Sequence, residues 1–146
     1  MGRKIGAALA GLVVLGSVVL AVQWVGTLLY PLPPGIDPMD PGAREALNEH
    51  LGAMPAVGWL LPLGSELLGA FLGAWVAGRL AGGRPHALVA VVVGLALVGS
   101  VNNWLSFTHP VWFMAGQLVG YPLVYLGTVR VLGRNARDPS PAAPTG

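Results

Sequence analysis

One acidic residue lies inside an otherwise apolar stretch of this sequence. Between residues 50 and 78, Glu66 is the single Asp, Glu, Lys or Arg, 12 residues after Met54 and 13 before Arg79. If the stretch crosses a membrane, Glu66 lies near the midplane, where an ionisable group is costly and is by default a functional candidate. Glu66 is therefore either a proton or cation site or a hydrogen-bonding group that serves helix packing.

Amide side chains add polar groups to the other apolar stretches. Asn102 and Asn103 are adjacent, and Gln23 and Gln117 each lie well inside an apolar run. Together with Glu66 they make up a candidate intramembrane polar site, a wet vestibule that ends at the carboxyl group. The alternative is that each amide makes interhelical hydrogen bonds, worth roughly 0.6–2 kcal/mol per contact.

A histidine stands at the break between the last two apolar runs, where His109 precedes Pro110. Imidazole is the side chain that changes charge near neutral pH, so His109 could relay protons or sense pH at this outer turn. The alternative is a structural side chain that caps the turn by hydrogen bonding.

Motifs for catalysis or metal binding are missing from the sequence. It contains no cysteine, and it has no HExxH, Ser-His-Asp or phosphate-binding glycine pattern. We therefore expect no catalytic residue, no metal, no cofactor and no enzymatic activity.

The composition predicts the elements that position these residues. Hydrophobic residues make up 54% of the chain and charged residues 10%, against about 25% charged in soluble proteins. A membrane crossing takes roughly 20 apolar residues, and the run 85–129 is long enough for two, with a break at Pro110. The predicted fold is all-α, an integral membrane four-helix bundle with spans at about 5–30, 54–80, 87–107 and 111–132.

Basic residues predict the orientation of this bundle. Seven of the eight Lys and Arg residues precede the first span, separate the second from the third, or end the fourth; Arg44 is the exception. Because basic residues accumulate on the cytoplasmic side, we expect both termini there. Residues 1–134 then form a single transmembrane domain, and 135–146, rich in Pro, Ala and Ser, form a disordered cytoplasmic tail.

The connection between the first two spans has its own signals. A proline-rich segment from residue 31 stops the first helix. Asp40 followed by Pro41 is typical of a helix start, so 43–51 is expected to form a short helix at the outer surface. The loop that contains this helix is either a connector that returns the chain to the membrane or a lid or partner-binding loop.

Small residues in the second span recur at four-residue spacing, at Gly69, Gly73 and Ala77. Such faces let helix backbones approach closely, within one chain or between subunits.

The expected partners are the lipid bilayer and either a second copy or another membrane protein. Nucleic acid is not expected at a net charge of +2. We expect a non-enzymatic membrane protein that packs through these faces; the alternative is a small proton- or cation-linked transporter or channel that uses Glu66.

Four segments resemble a family of small, uncharacterised bacterial four-span membrane proteins. They are the proline-rich turn 30–38, the glycine-rich segment 69–79, Val-Asn-Asn at 101–103 and His-Pro-Val-Trp-Phe at 109–113. Members often carry an acidic residue in the first span where this sequence has Gln23, so a charge-based role is not carried over to that position. The resemblance implies the bacterial cytoplasmic (inner) membrane and no particular activity.

Overall fold

A computed structural model describes residues 2–82 and 85–137 of the 146-residue chain. The regular structure in this part of the chain is helical throughout. A short 3₁₀ helix, Pro41–Ala43, lies between the first two of five α-helices. These are α1 (Gly2–Leu29), α2 (Arg44–Ala53), α3 (Ala56–Ala81), α4 (His86–Ser106) and α5 (Val111–Arg137).

Proline and aspartate set several helix ends as the sequence predicts. Helix α1 ends two residues before Pro31, and α5 begins directly after Pro110, because proline cannot donate a backbone hydrogen bond. The carboxylate of Asp40 accepts a hydrogen bond from the backbone N–H of Gly42 at 2.9 Å. Asp40 thereby caps the 3₁₀ helix that leads into α2.

Helix α3 is the centre of the fold and contacts α1, α4 and α5. Its small-residue face packs against α1 at very short range: a Cβ atom added at Gly11 would lie 2.5 Å from the carbonyl oxygen of Gly73. A Cβ atom at Gly69 would lie 3.0 Å from the carbonyl oxygen of Leu15. This face is therefore occupied within the chain. Next to this face, α3 joins a buried core shared with α4 and α5, formed by Ala70, Ala74, Ala77, Val89, Val92, Val93, Tyr121 and Leu132.

Two contacts bring three helix termini to one end of the bundle. The side chain of Arg3 donates from Nε to the carbonyl oxygen of Leu80 at 3.0 Å, so α1 begins where α3 ends. The side chain of Leu132, near the end of α5, lies against Gly78. We call this the basic end. At the other, the loop end, Asn48 of α2 accepts a hydrogen bond from the backbone N–H of Thr108 at 2.9 Å.

Within the described residues, three helices are long and apolar enough to cross a membrane: α1, α3 and α4. They correspond to the predicted spans 5–30, 54–80 and 87–107. Helix α5 contains the fourth predicted span, 111–132, and is equally long but more polar. It also continues to Arg137, three residues past the predicted domain boundary at 134. The rest of the predicted tail, 138–146, lies outside the described residues.

Candidate functional site

The carboxylate of Glu66 is the centre of a polar cluster at the junction of α3, α4 and α5. Its Oε2 atom accepts hydrogen bonds from the hydroxyl of Ser100 at 2.8 Å and the hydroxyl of Tyr121 at 3.1 Å. The side-chain amide of Gln117 donates to the same oxygen. Three donors from two neighbouring helices therefore converge on one carboxylate oxygen.

The oxygens of Glu66, Ser100 and Tyr121 form a triangle, since the two hydroxyls are themselves 2.7 Å apart. Each hydroxyl carries one proton, so the two hydroxyls can fill two of the three edges at any moment. A third proton, carried by the carboxyl group, completes the triangle. The hydrogen-bond geometry thus leaves room for one additional proton at Glu66.

The orientation of Gln117 is fixed by a fourth residue. The indole N–H of Trp104 donates to Oε1 of Gln117 at 2.5 Å. Because indole is a donor only, the amide oxygen must face Trp104 and the amide nitrogen must face Glu66. Gln117 is fully buried, and it presents a donor to the carboxylate.

A second cluster surrounds His109 at the turn between α4 and α5. Its Nδ1 lies 2.8 Å from the carbonyl oxygen of Phe107 and its Nε2 lies 3.2 Å from the amide nitrogen of Asn103. A carbonyl oxygen only accepts, so Nδ1 carries the proton and Nε2 accepts from Asn103. The ring also packs against Trp59 and Phe113, with centroids 5.3 and 5.4 Å away. In this arrangement His109 caps the turn.

Glu66 borders two cavities. One, of about 380 Å³, lies at the loop end beside α2 and is lined by Trp59, His109 and Phe113, among others. The other, of about 530 Å³, lies between α1 and α4. Four residues line both: Gln23, Glu66, Asn103 and Phe107. Glu66 therefore lies on the boundary between the loop-end cavity and the space between α1 and α4.

The structure divides the polar site predicted from the sequence. Glu66 is joined to Gln117, and Asn103 is joined to His109. Gln23 is exposed on α1 and lines both cavities without a side-chain hydrogen bond to any described residue. Asn102 is also exposed, and its backbone carbonyl accepts from Ser106 at 2.9 Å.

Three members of the Glu66 cluster were not predicted: Ser100, Tyr121 and Trp104. A signal for them exists in the spacing, since Ser100 and Trp104 are four residues apart on α4, and Gln117 and Tyr121 are four apart on α5. Residues at this spacing share one helix face. The pair on α4 and the pair on α5 each mark a polar helix face, and two polar faces on adjacent apolar helices are expected to contact each other.

Within the described residues, no group of three His, Asp or Glu side chains converges in a way that could hold a metal ion. Comparison with family models, with curated proteins and with solved structures finds no match for this chain. The resemblance to small bacterial four-span proteins stays a prediction.

Proposed function

We propose that this protein is a multi-pass membrane protein with four crossing helices and both termini in the cytoplasm, and that Glu66 is its binding site for a proton or a small cation. Helices α1, α3 and α4 are apolar enough to cross by themselves. Helix α5 is proposed as the fourth crossing. The family resemblance adds the bacterial inner membrane as the location.

The side-chain distribution of α5 supports its role as a crossing. Its 27 residues span about 40 Å at 1.5 Å per residue, more than the roughly 30 Å of the hydrocarbon core. Its buried side chains include Gln117, Tyr121 and Thr128. A helix that faces water shows the reverse arrangement, whereas a helix in lipid keeps polar groups inside. The exposed side chains of α5 include Val111, Trp112, Leu118, Val119, Leu123 and Leu126.

The proposed orientation rests on the basic end. The contact of Arg3 with Leu80 brings the start of α1 beside the end of α3, close to Arg79. Arg130 and Arg134 lie near the end of α5, whose Leu132 packs against Gly78. Positive charge concentrated at one end favours that end as the cytoplasmic one.

Cysteine labelling tests this orientation, because the native chain has no cysteine. Met39 is 86% exposed at the loop end, and Gly133 is exposed near the basic end with open space around it. An impermeant maleimide should label Met39→Cys in intact cells and Gly133→Cys only after the membrane is opened. The reverse pattern would contradict the proposed topology.

One observation carries the assignment of Glu66: its carboxylate completes a hydrogen-bonded triangle that has room for one more proton and borders two cavities. A carboxylate that serves only helix packing has no need to border a cavity. A group that takes up and releases a proton or cation needs both the donors that stabilise it and a route to water. We expect no enzymatic activity from this arrangement.

Proton flux into proteoliposomes tests the assignment. Glu66→Gln should reduce flux at least tenfold. Glu49→Gln is the matched control, because Glu49 is an exposed carboxylate of α2 outside both cavities, and it should keep the wild-type rate. Thermal unfolding of both variants in detergent separates a lost site from a lost fold.

If a folded Glu66→Gln variant retains wild-type proton and cation flux, the cluster serves packing. The protein is then the non-enzymatic membrane protein first expected from the sequence, and the small-residue face of α3 is its main packing device. Self-association or a second membrane protein would remain the expected partner.

A further inference from the structure

The larger cavity has an apolar half formed by two helices that scarcely meet. Helix α1 is packed closely on α3 through Gly11 and Gly73, and it leaves a gap toward α4 of about 530 Å³. This volume lies within the range of small-molecule sites, roughly 300–1,000 Å³. Aliphatic side chains from both helices line this part, including Leu12, Leu15, Val19, Leu20 and Leu95.

The other half of this cavity is polar and carries one sign of charge. It contains Glu66, Ser100, Asn103 and Tyr121. Among the described residues that line either cavity, Glu66 is the one carboxylate and none is Lys or Arg. A ligand that fills both halves therefore needs a positive head and an apolar tail.

Two glycines keep the gap open. Gly16 of α1 and Gly99 of α4 both line the cavity, and a Cβ atom added at either would meet no atom within 4 Å. Neither glycine is required for close helix packing. Their effect is to leave space where larger side chains would fill the cavity.

We propose that this cavity binds an amphipathic monocation, with its ammonium head at Glu66 and its apolar tail between α1 and α4. The proposal rests on the proposed function, because it names the class of cation that Glu66 takes. A free cation fits better than a zwitterionic phospholipid, since a phosphate beside Glu66 would find no basic side chain among the described residues of either cavity. Binding pairs the head with the carboxylate, and a proton held there leaves to the solvent of the loop-end cavity.

The test compares three probes on the purified full-length protein in a non-ionic maltoside detergent, by isothermal titration calorimetry. Octyltrimethylammonium carries both head and tail, tetramethylammonium carries the head alone, and octylphosphocholine adds a phosphate. Each methylene buried should tighten binding by about fourfold. We expect octyltrimethylammonium to bind at least tenfold tighter than either of the other probes.

Three variants test which part of the cavity binds the head of the ligand and which part binds its tail. Glu66→Gln should weaken octyltrimethylammonium binding at least tenfold. Gly99→Leu places a side chain in the gap and should reduce the advantage of the octyl tail over tetramethylammonium. Gly94→Leu is its matched control on the same helix, because a Cβ atom there also meets open space and Gly94 lines neither cavity; it should leave that advantage intact.

The outcomes separate this inference from the proposed function. The inference would be overturned if octyltrimethylammonium and tetramethylammonium bound equally well, or if Gly99→Leu left the octyl advantage unchanged. In either case, proton flux that depends on Glu66 would still support the proposed function. Equally tight octylphosphocholine would overturn it in favour of a lipid. Flux that is independent of Glu66 would overturn the proposed function itself. If Glu66→Gln fails to fold, the Gly99 and Gly94 variants still decide the question.

Discussion

Gln117 and Glu66 are joined by a side-chain hydrogen bond across the interface of α3 and α5, although they lie 51 residues apart. The amide of Gln117 donates to the carboxylate while its oxygen accepts from Trp104 of α4. One buried amide thus connects three helices. Because the amide nitrogen of Gln117 faces Glu66, the carboxylate meets three hydrogen-bond donors and no Lys or Arg side chain among the described residues.

Replacing Gln117 with Leu should destabilise the bundle. The change removes a donor from Glu66 and leaves the indole N–H of Trp104 without its acceptor, at about 1–3 kcal/mol for an unsatisfied buried group. Thermal unfolding in detergent measures the loss. Gln23→Leu is the control, because Gln23 is exposed and hydrogen-bonded to no described residue. Equal destabilisation by the two substitutions would argue against a structural role for the Gln117 bridge.

Replacing Gly73 with Ala should loosen the contact between α1 and α3. The new methyl group would collide with the backbone of Gly11, and overpacking of this kind costs about 1–3 kcal/mol. Gly64→Ala is the matched control on the same helix, where a Cβ atom meets open space and alanine favours the helix. The two variants should move the melting temperature in different directions; a Gly73→Ala protein as stable as Gly64→Ala would contradict the close contact.

Replacing Asn48 with Ala should release α2 from the turn between α4 and α5. The substitution removes the acceptor of the Thr108 backbone N–H, a hydrogen bond worth about 0.5–1.5 kcal/mol. Hydrogen–deuterium exchange of the α2 amides should therefore become faster. Glu45→Ala, on the exposed side of the same helix, should leave exchange at the wild-type rate, and similar acceleration by both would mean that α2 is held elsewhere.

Helix ends were predictable because local chemistry sets them. Pro31 follows the end of α1 and Pro110 precedes α5, because proline lacks a backbone N–H, and Asp40 with Pro41 starts a helix. The contact between the Gly69–Gly73 face and another helix also follows from local spacing. The spacing does not predict which helix this face contacts, because that depends on how all the helices pack together.

The membership of the Glu66 cluster was only partly predictable, because helix rotation decides it. Asn102 lies two residues after Ser100, about 200° around α4, so the two cannot both face Glu66. Gln23 lies twelve residues after Gly11, about 120° around α1 from the face that packs on α3. The sequence identifies these residues as polar groups at membrane depth, but their rotation follows from the glycine contacts of α1 and the packing of α4.

Replacing Tyr121 with Phe tests the oxygen triangle itself. The change removes the hydroxyl that lies 2.7 Å from Ser100 and 3.1 Å from Glu66, and it leaves one edge that the proton of Ser100 already fills. The place for an additional proton is then lost. We expect Glu66-dependent proton flux to fall roughly fivefold to tenfold, the equivalent of one hydrogen bond of about 1–1.5 kcal/mol.

Tyr125→Phe is the matched control for this change. Tyr125 lies one turn further along α5, packs against the same core, and its hydroxyl makes no hydrogen bond to any described residue. Flux should stay at the wild-type rate in this variant, and both variants should be compared at equal folded fraction by thermal unfolding. If Tyr121→Phe is folded and transports protons at the rate of Tyr125→Phe, the hydroxyl of Tyr121 is dispensable for proton uptake and release at Glu66. The triangle would then hold the helices together without taking part in proton binding.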